Sequence, residues 1–337
     1  MGRWGRLACI GVALSTAVAC WGRSEGVPAA DLPRPAAGER ADGNALLVEP
    51  VVLSRPWRLA FAAKDAVPVE GDGSFWGRSW RAMQAYATSR GATIRLVPTA
   101  CMTCVEDQVA ALRMLVADGD VDGLILGPVD SVHLAGVVEE VVAAGIPTLA
   151  YDTPVDARQV LTLVTPDNLA TGRAVGAWVA RRLGGKGKVV LLDGSWSHLN
   201  ALERRAGMLE GLSAGGITVE ASQAARWKRN LAAAEVRRWL PRLGGIDAIV
   251  AANDAMALGA LDALEGNPGG LLVTGVDGDP EAVEAVRAGR LGLTVDRAAE
   301  TEAAVAVEVM LRHLERGQAF PPQVVVSELR LVEQGTP

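Results

Sequence analysis

From Trp57 onward the chain alternates short apolar runs with longer stretches of helical period. Eleven runs read as strands: WRLAFAA, TIRLVP, GLILG, TLAYD, LTLVT, KVVLLDG, ITVEA, AIVAAN, LLVTGVD, LGLTVD and VVVSELRLV. Parallel strands covered on both faces lose the in–out alternation and show continuous apolar runs like these. Between them, VEDQVAALRMLVADG puts Val105, Val109, Leu112 and Val116 on one face. The helix in SVHLAGVVEEVVAAGIP stops at Gly145 with Pro147 just beyond, and Glu203–Leu212 closes at Gly215-Gly216, both with ordinary helix-stop chemistry. Strand–helix alternation of this length predicts an α/β fold with parallel sheets and right-handed crossovers. One stretch breaks the rhythm: TPVDARQV, between Asp152 and Leu161, is too short and too proline-bearing for a crossover helix. It reads as a passage between two lobes.

Several strands end on polar side chains. Ile249–Ala252 runs into Asn253-Asp254, Leu271–Val276 into Asp277, TLAY into Asp152, KVVLL into Asp193, and GLILG into Pro128-Val129-Asp130-Ser131. The carboxyl ends of parallel strands are where open α/β sheets bind ligands, so these donors and acceptors are expected around a common cleft for a polar small molecule. Asn253 and Asp254 are both good helix caps; the expected division has Asp254 capping and Asn253 facing the cleft.

The first twenty residues read as an address. Arg3 and Arg6 precede an apolar run from Leu7 to Ala19, too short to span a bilayer but suited to a signal peptide. Residues 1–20 are therefore expected to direct export. Residues 21–56, rich in Gly, Pro, Ala and charge, read as a flexible tether. A chain of 337 residues, half of them hydrophobic, suits two domains with a large core. The net charge of −6 and the lack of a basic stripe give nucleic-acid binding no electrostatic support.

The segments Asn253 to Ala260 (NDAMALGA), Val273 to Gly278 (VTGVDG) and Gly145 to Asp152 (GIPTLAYD), with Asp167-Asn168 and Glu203-Arg204, carry a resemblance. Over about residues 57–335 the chain resembles bacterial periplasmic sugar-binding proteins of the type I fold, the ribose-, galactose- and allose-binding group. The leader Ala17-Val18-Ala19-Cys20 likewise resembles a bacterial lipoprotein signal, with Cys20 as the lipidated residue and Ala17 where that pattern prefers Leu. The resemblance implies two Rossmann-like lobes joined by a three-segment hinge: residues 57–165 plus 298–319, and 166–297 plus 320–337. It implies a sugar in the interlobe cleft, walled by Phe75 and Trp76 from the first lobe and Trp227 from the second. Polar contacts would come from Asp152, Asn253, Asp277 and Arg297, with no metal and no cofactor.

Sugars suit such a site, since their C–H faces pack on aromatic rings and their hydroxyls meet Asp and Asn. The chain departs from ribose-type sites at three places. Thr153 and Leu202 stand where arginines are expected, and Arg297, beside Asp296, stands where a glutamine is expected. One relocated guanidinium would then replace two; alternatively Arg297 pairs with Asp296 or another hinge carboxylate. Trp80, one turn beyond Trp76, is expected in the core. Cys101-Met102-Thr103-Cys104 reads as a small disulfide or two free thiols, because no thioredoxin-like pattern surrounds it.

The expected function is an exported, non-catalytic solute-binding protein, periplasmic or at the cell surface, tied to the membrane only through a lipid on Cys20. It would deliver a monosaccharide or polyol to an ABC permease or present it to a membrane sensor. Enzyme readings fail: there is no G-x-G-x-x-G after the first strand and no G-x-x-x-x-G-K-[ST].

Overall fold

The computed structural model describes residues 39–67, 73–102, 104–242, 244–267 and 269–336. The expected signal peptide and the lipidation site at Cys20 lie outside the described residues.

The chain builds two sheets, each flanked by helices. The first contains β1 (Arg40–Asp42), β2 (Arg58–Ala62), β3 (Thr93–Val97), β4 (Gly123–Leu126), β5 (Thr148–Tyr151), β6 (Leu163–Pro166) and β12 (Gln323–Val326). Its order is β1-β12-β6-β5-β4-β2-β3, parallel throughout. The second contains β7 (Lys188–Asp193), β8 (Thr218–Ala224), β9 (Ala248–Ala251), β10 (Leu272–Asp277), β11 (Leu293–Asp296) and β13 (Arg330–Glu333), in the order β13-β11-β10-β9-β7-β8. Only β13 in this sheet runs antiparallel, against β11. The central strands are buried along their whole length, as their unbroken apolar runs require.

Around the first sheet lie α1 (Gly43–Leu46), α2 (Phe75–Ser89), α3 (Val105–Asp118), α4 (Ala135–Ala143) and α10 (Ala299–Arg316). Around the second lie α5 (Asn168–Arg182), α6 (Leu199–Ala214), α7 (Arg229–Trp239), α8 (Asp254–Ala263) and α9 (Pro280–Arg287). In α3 the buried face is Gln108, Leu112 and Leu115, one step round from the expected valine stripe. Gln108 turns inward because its amide ties strand ends together, donating to the carbonyls of Ala63 (3.2 Å) and Gly127 (3.0 Å) and accepting from the Val129 N–H (2.9 Å).

Helices α5 and α6 meet backbone to backbone. A Cβ on Gly172 would stand 2.1 Å from the Arg204 carbonyl oxygen, and one on Gly207 2.2 Å from that of Leu169. Only glycine permits this approach, and it fixes where α6 presents its first turns.

Three expectations about connectivity are corrected. First, the tether does not run to residue 56: β1 adds to the sheet edge beside β12, and Val51 is buried with its N–H on Glu308 Oε1 at 2.7 Å. Second, the passage between lobes is not at 152–161, because β5 and β6 pair within one sheet. The crossing comes at Asp167, which caps α5 by accepting from the Ala170 N–H at 2.8 Å. Third, VVVSELRLV is not one strand of the second lobe, since β12 lies in the first sheet and β13 in the second. Residues 327–329 cross between them, and Arg297-Ala298 make the remaining crossing from β11 to α10.

Candidate functional site

The carboxyl ends of both sheets face one cleft of about 260 Å³. All seven sequence-predicted residues line it: Phe75, Trp76, Asp152, Trp227, Asn253, Asp277 and Arg297. Asp152 follows β5, Asp277 ends β10 and Arg297 follows β11, while Asn253 sits between β9 and α8. Phe75 and Trp76 open α2, whose cap Ser74 Oγ accepts from the Gly77 N–H at 3.3 Å.

The aromatic walls are set from beneath. Phe75 meets Trp76 edge-on at 5.1 Å and stacks on Tyr151 at 6.2 Å, while Phe61 supports Trp76 and the buried Trp80. On the opposite lobe, Trp227 adopts φ 65° and lies flat on Gly194, where any Cβ would come within 2.2 Å of the indole. The Trp227 Nε1–H donates to His198 Nδ1 at 2.9 Å. His198 Nε2 therefore carries the other proton and donates to the Val129 carbonyl of the first lobe at 2.8 Å. Burial, then the Lys64 charge, pushes the His198 pKa down to about 3, so this imidazole is neutral.

Arg297 organises the polar floor. Its Nε donates to Asp277 Oδ1 at 2.8 Å, and Nη1 and Nη2 donate to Asp152 Oδ1 at 3.1 and 3.2 Å, with the guanidinium 4.3 Å from the Phe75 ring centre. The pairing with Asp296 is thus replaced: Asp296 binds Arg330 at 3.0 Å, and Arg297 joins a carboxylate from each lobe. Asp152 Oδ2 accepts from Thr153 Oγ1 (2.9 Å) and Asn200 Nδ2 (2.8 Å), with Lys64 Nζ at 3.6 Å. Lys64 Nζ also donates to Thr153 Oγ1. Arg204 binds the Ala252 carbonyl (2.6 Å) and Asn168 Oδ1 (2.7 Å). The expectation of a single replacement guanidinium is therefore corrected: Lys64, Arg204 and Arg297 all line the floor.

Titration follows from this packing. Burial favours a neutral Asp152, but Arg297 and Lys64 outweigh it and hold the group below its ordinary pKa. Burial lowers Lys64 to about 8 against the pull of Asp152. For Asp277 burial wins over Arg297 and the pKa rises. Beneath it, burial and then the Asp277 charge raise Asp254 to about 7 and Asp279 to about 9.

Asn253, not Asp254, is the helix cap: its Oδ1 accepts from the Met256 N–H at 3.0 Å, and its side chain still lines the cleft. Asp254 instead turns inward, accepting from Thr294 Oγ1 (2.7 Å) and the Asp279 N–H (2.8 Å). Two strand ends do not reach the cleft. Asp130 accepts from the N–H groups of Val132 and His133, both at 2.8 Å, and Asp193 pairs with Arg205 at 3.0 Å. Residues that sequence reasoning missed include Lys64, Asn200, Lys228 and Met102, all on the cleft wall. Lys64 follows a strand end by two residues, a usable signal; Asn200 carried none.

The cleft is spanned by direct bonds. Arg78 of α2 donates to the carbonyls of Asp277 (2.7 Å) and Gly278 (2.9 Å), and Lys228 Nζ lies 3.2 Å from Asp65 Oδ2. With His198–Val129 and Asn200–Asp152, these contacts make the conformation a closed one.

Comparison with known proteins agrees with this architecture. A sequence profile described as a periplasmic binding protein domain matches residues 66–319. The xylitol-binding protein of Mycolicibacterium smegmatis is 33% identical over 219 residues, 64% of this chain and 62% of that relative. The ribose import binding protein of Bacillus subtilis is 31% identical over 201 residues, 60% of this chain and 65% of that relative. The chain thus spans a little under two thirds of the length of these two relatives. An ABC transporter periplasmic solute binding protein from Actinobacillus succinogenes, solved with bound D-allose, superposes with a TM-score of 0.75 at 27% identity, covering 83% of this chain and 98% of that one. An ABC transporter solute binding protein from Bacillus halodurans with bound myo-inositol gives 0.72 at 25% identity, covering 83% and 95%.

Proposed function

Because the chain belongs to the periplasmic binding protein domain family, whose matched members are sugar-binding proteins rather than enzymes, we propose that it captures a monosaccharide or similar polyol between its lobes and delivers it to an ABC importer. The observation that carries this reading is a set of unused polar groups between aromatic walls. Among the described residues, Asn200 Oδ1 is buried without a partner, and Asp277 meets Arg297 through Oδ1, which leaves Oδ2 for a ligand. Arg204 Nε is a buried donor without an acceptor, and Asn253 uses its Oδ1 for the helix cap, which leaves its amide N–H groups for a ligand. Asn200, Arg204, Asn253 and Asp277 all line one cleft and together offer donors and acceptors, which suits the mixed valence of hydroxyl groups, while Phe75, Trp76 and Trp227 supply surfaces for C–H faces. Buried groups of this kind cost free energy until a ligand satisfies them, which favours a ligand rich in hydroxyls over an apolar one.

Asp152 has a different role. Its oxygens are occupied by Arg297, Thr153 and Asn200, so it holds the floor together and orients the cations. Export by residues 1–20 and anchoring through lipid on Cys20 complete the proposal, and mass spectrometry of the mature amino terminus reads both. The central test is a thermal-shift and calorimetry panel of xylitol, D-ribose, D-allose and myo-inositol on the purified protein. Binding stabilises the native state by mass action, so at least one member should raise the melting temperature. Unchanged melting across the panel at millimolar concentration overturns the reading.

A further inference from the structure

Met102 stands between the two cysteines of a disulfide, Cys101–Cys104, whose Cα atoms are 5.1 Å apart. The Cys104 N–H also donates to the Cys101 carbonyl at 3.1 Å, so a turn joins the two cysteines through backbone as well as sulfur. This turn leads from β3 into α3, at the edge of the first sheet that faces the cleft. The Met102 side chain lines the cleft and packs against the apolar clusters of both lobes. It belongs to the first lobe by chain position and touches the core of the second.

We propose that Met102 is an apolar gate over the binding cleft, and that the Cys101–Cys104 disulfide holds it in place, so that the residence time of a bound polyol depends on this cross-link. The inference rests on the polyol-binding reading above. A gate of this kind needs three things. The first is a side chain that adapts to a C–H surface. Met is unbranched and polarisable and fills irregular apolar gaps, and it adds a fourth apolar wall to Phe75, Trp76 and Trp227. The second is contact with both lobes, so that opening the cleft strips Met102 from the second core and exposes apolar area; that cost appears in the dissociation step.

The third is a fixed position, since a loose loop would lose the gain in ordering entropy. The disulfide ties Met102 to the first turn of α3, and Gln108 on the next turn is clamped to the carbonyls of Ala63 and Gly127 and to the Val129 N–H. The gate is therefore fastened, through one cross-link and one buried amide, to the ends of two central strands. A cross-link serving stability alone would need no residue of the closed turn to reach the opposite lobe.

The experiment is stopped-flow dissociation followed by tryptophan fluorescence, using the wild-type protein and the polyol of the four-member panel that it binds most tightly. Met102→Ser should raise koff roughly tenfold with kon changed much less. Met102→Leu, which keeps an apolar side chain of similar volume, should stay within about twofold of wild type. The double variant Cys101→Ser/Cys104→Ser, measured well below its own melting temperature, should raise koff by about three- to tenfold. Wild-type koff in Met102→Ser overturns the gate. A double variant that melts lower but keeps wild-type koff shows a stability staple only and overturns the role given to the disulfide. A wild-type protein that binds none of the four polyols overturns the polyol reading, and this inference with it.

Discussion

Arg297 is the residue on which the site turns, because it neutralises one carboxylate from each lobe at once. A lysine reaches one of them and lacks the planar fork. Arg297→Lys is expected to cost about 1.5–3 kcal/mol of folding stability, the worth of charge-assisted bonds, and to weaken polyol binding in parallel. Denaturant titration and calorimetry on that variant report the two effects separately; a loss of affinity with unchanged stability would contradict the bridging role. A second prediction at this scale concerns Asp254. Its pKa is raised by burial and by Asp277, so the folded protein holds a proton that the unfolded chain releases. Stability is then greatest below the ordinary carboxyl pKa and falls as pH rises through about 7. Asp254→Asn keeps the shape without the titration, and its melting temperature should vary less between pH 5 and pH 8 than that of wild type. Much of this site was legible in the sequence, because Asp152, Asn253 and Asp277 each end an apolar run and chain direction alone sends them to the cleft. Lys64 was legible only as a residue near a strand end, and Asn200 not at all. The aim of a side chain past a strand end, or on the first turn of α6, depends on the neighbour it meets; here that neighbour is Asp152, which follows a strand of the same sheet as Lys64 and lies across the cleft from Asn200.

Elements carry their own constraints. Asn200 and Arg204 sit one turn apart on α6 and reach the site only because α6 presses against α5 through Gly172 and Gly207. Gly172→Ala should cost about 1–3 kcal/mol by overpacking, read by chemical denaturation, and should also weaken polyol binding by pushing that first turn outward. An affinity equal to wild type would show that the glycine contact serves packing alone. The segment 43–56 is an element in the same sense. Glu308, fully buried, accepts from the Val51 N–H (2.7 Å), Tyr86 Oη (3.0 Å) and Arg312 Nε (2.7 Å). Glu308→Ala leaves the Val51 amide without its acceptor and removes one partner of Arg312, whose guanidinium keeps the Leu46 and Glu49 carbonyls, and about 1–3 kcal/mol of destabilisation is expected in thermal or urea unfolding. Composition concealed this segment, since Gly, Pro and charge read as tether whether or not a neighbouring buried carboxylate captures the backbone. The terminal run VVVSELRLV concealed its break for a related reason. Apolar periodicity reports that residues are buried, and it cannot report that Val324 and Val332 are buried in different sheets.

At the scale of the molecule, the α/β architecture was readable from strand–helix alternation, whereas the two lobes came from the family resemblance, which alone put a lobe boundary, between residues 165 and 166, near the crossing at Asp167. A chain that changes lobes at a single helix cap leaves no stretch of unusual composition. The bonds across the cleft define what opening must break. Lys228–Asp65 at 3.2 Å is partly exposed, so Lys228→Ala should weaken ligand binding by no more than about fivefold, the worth of an exposed pair, with the change in koff. Arg78 binds two carbonyls of the second lobe from within the interface, and Arg78→Ala should lower affinity more than Lys228→Ala does. Calorimetry on the two variants ranks them, and the reverse order would show that the rim and not the interior holds the closed state.

The strand made of residues 40–42 has its sheet partner near the other end of the chain; the neighbouring bond from Asn44 Nδ2 to Glu328 Oε1 spans 284 residues. Contacts of such sequence separation form late, because closing the loop between them costs chain entropy before any contact rewards it. A nascent chain lacking its last fifteen residues therefore has no partner for its first strand, and the first sheet cannot be completed at its edge. Among the described residues, the strand made first pairs with one of the last to be made, so that pairing waits for the final segment to arrive. Were the chain exported, as proposed above, in an unfolded state, that delay would leave this edge of the first sheet open until the final residues had emerged.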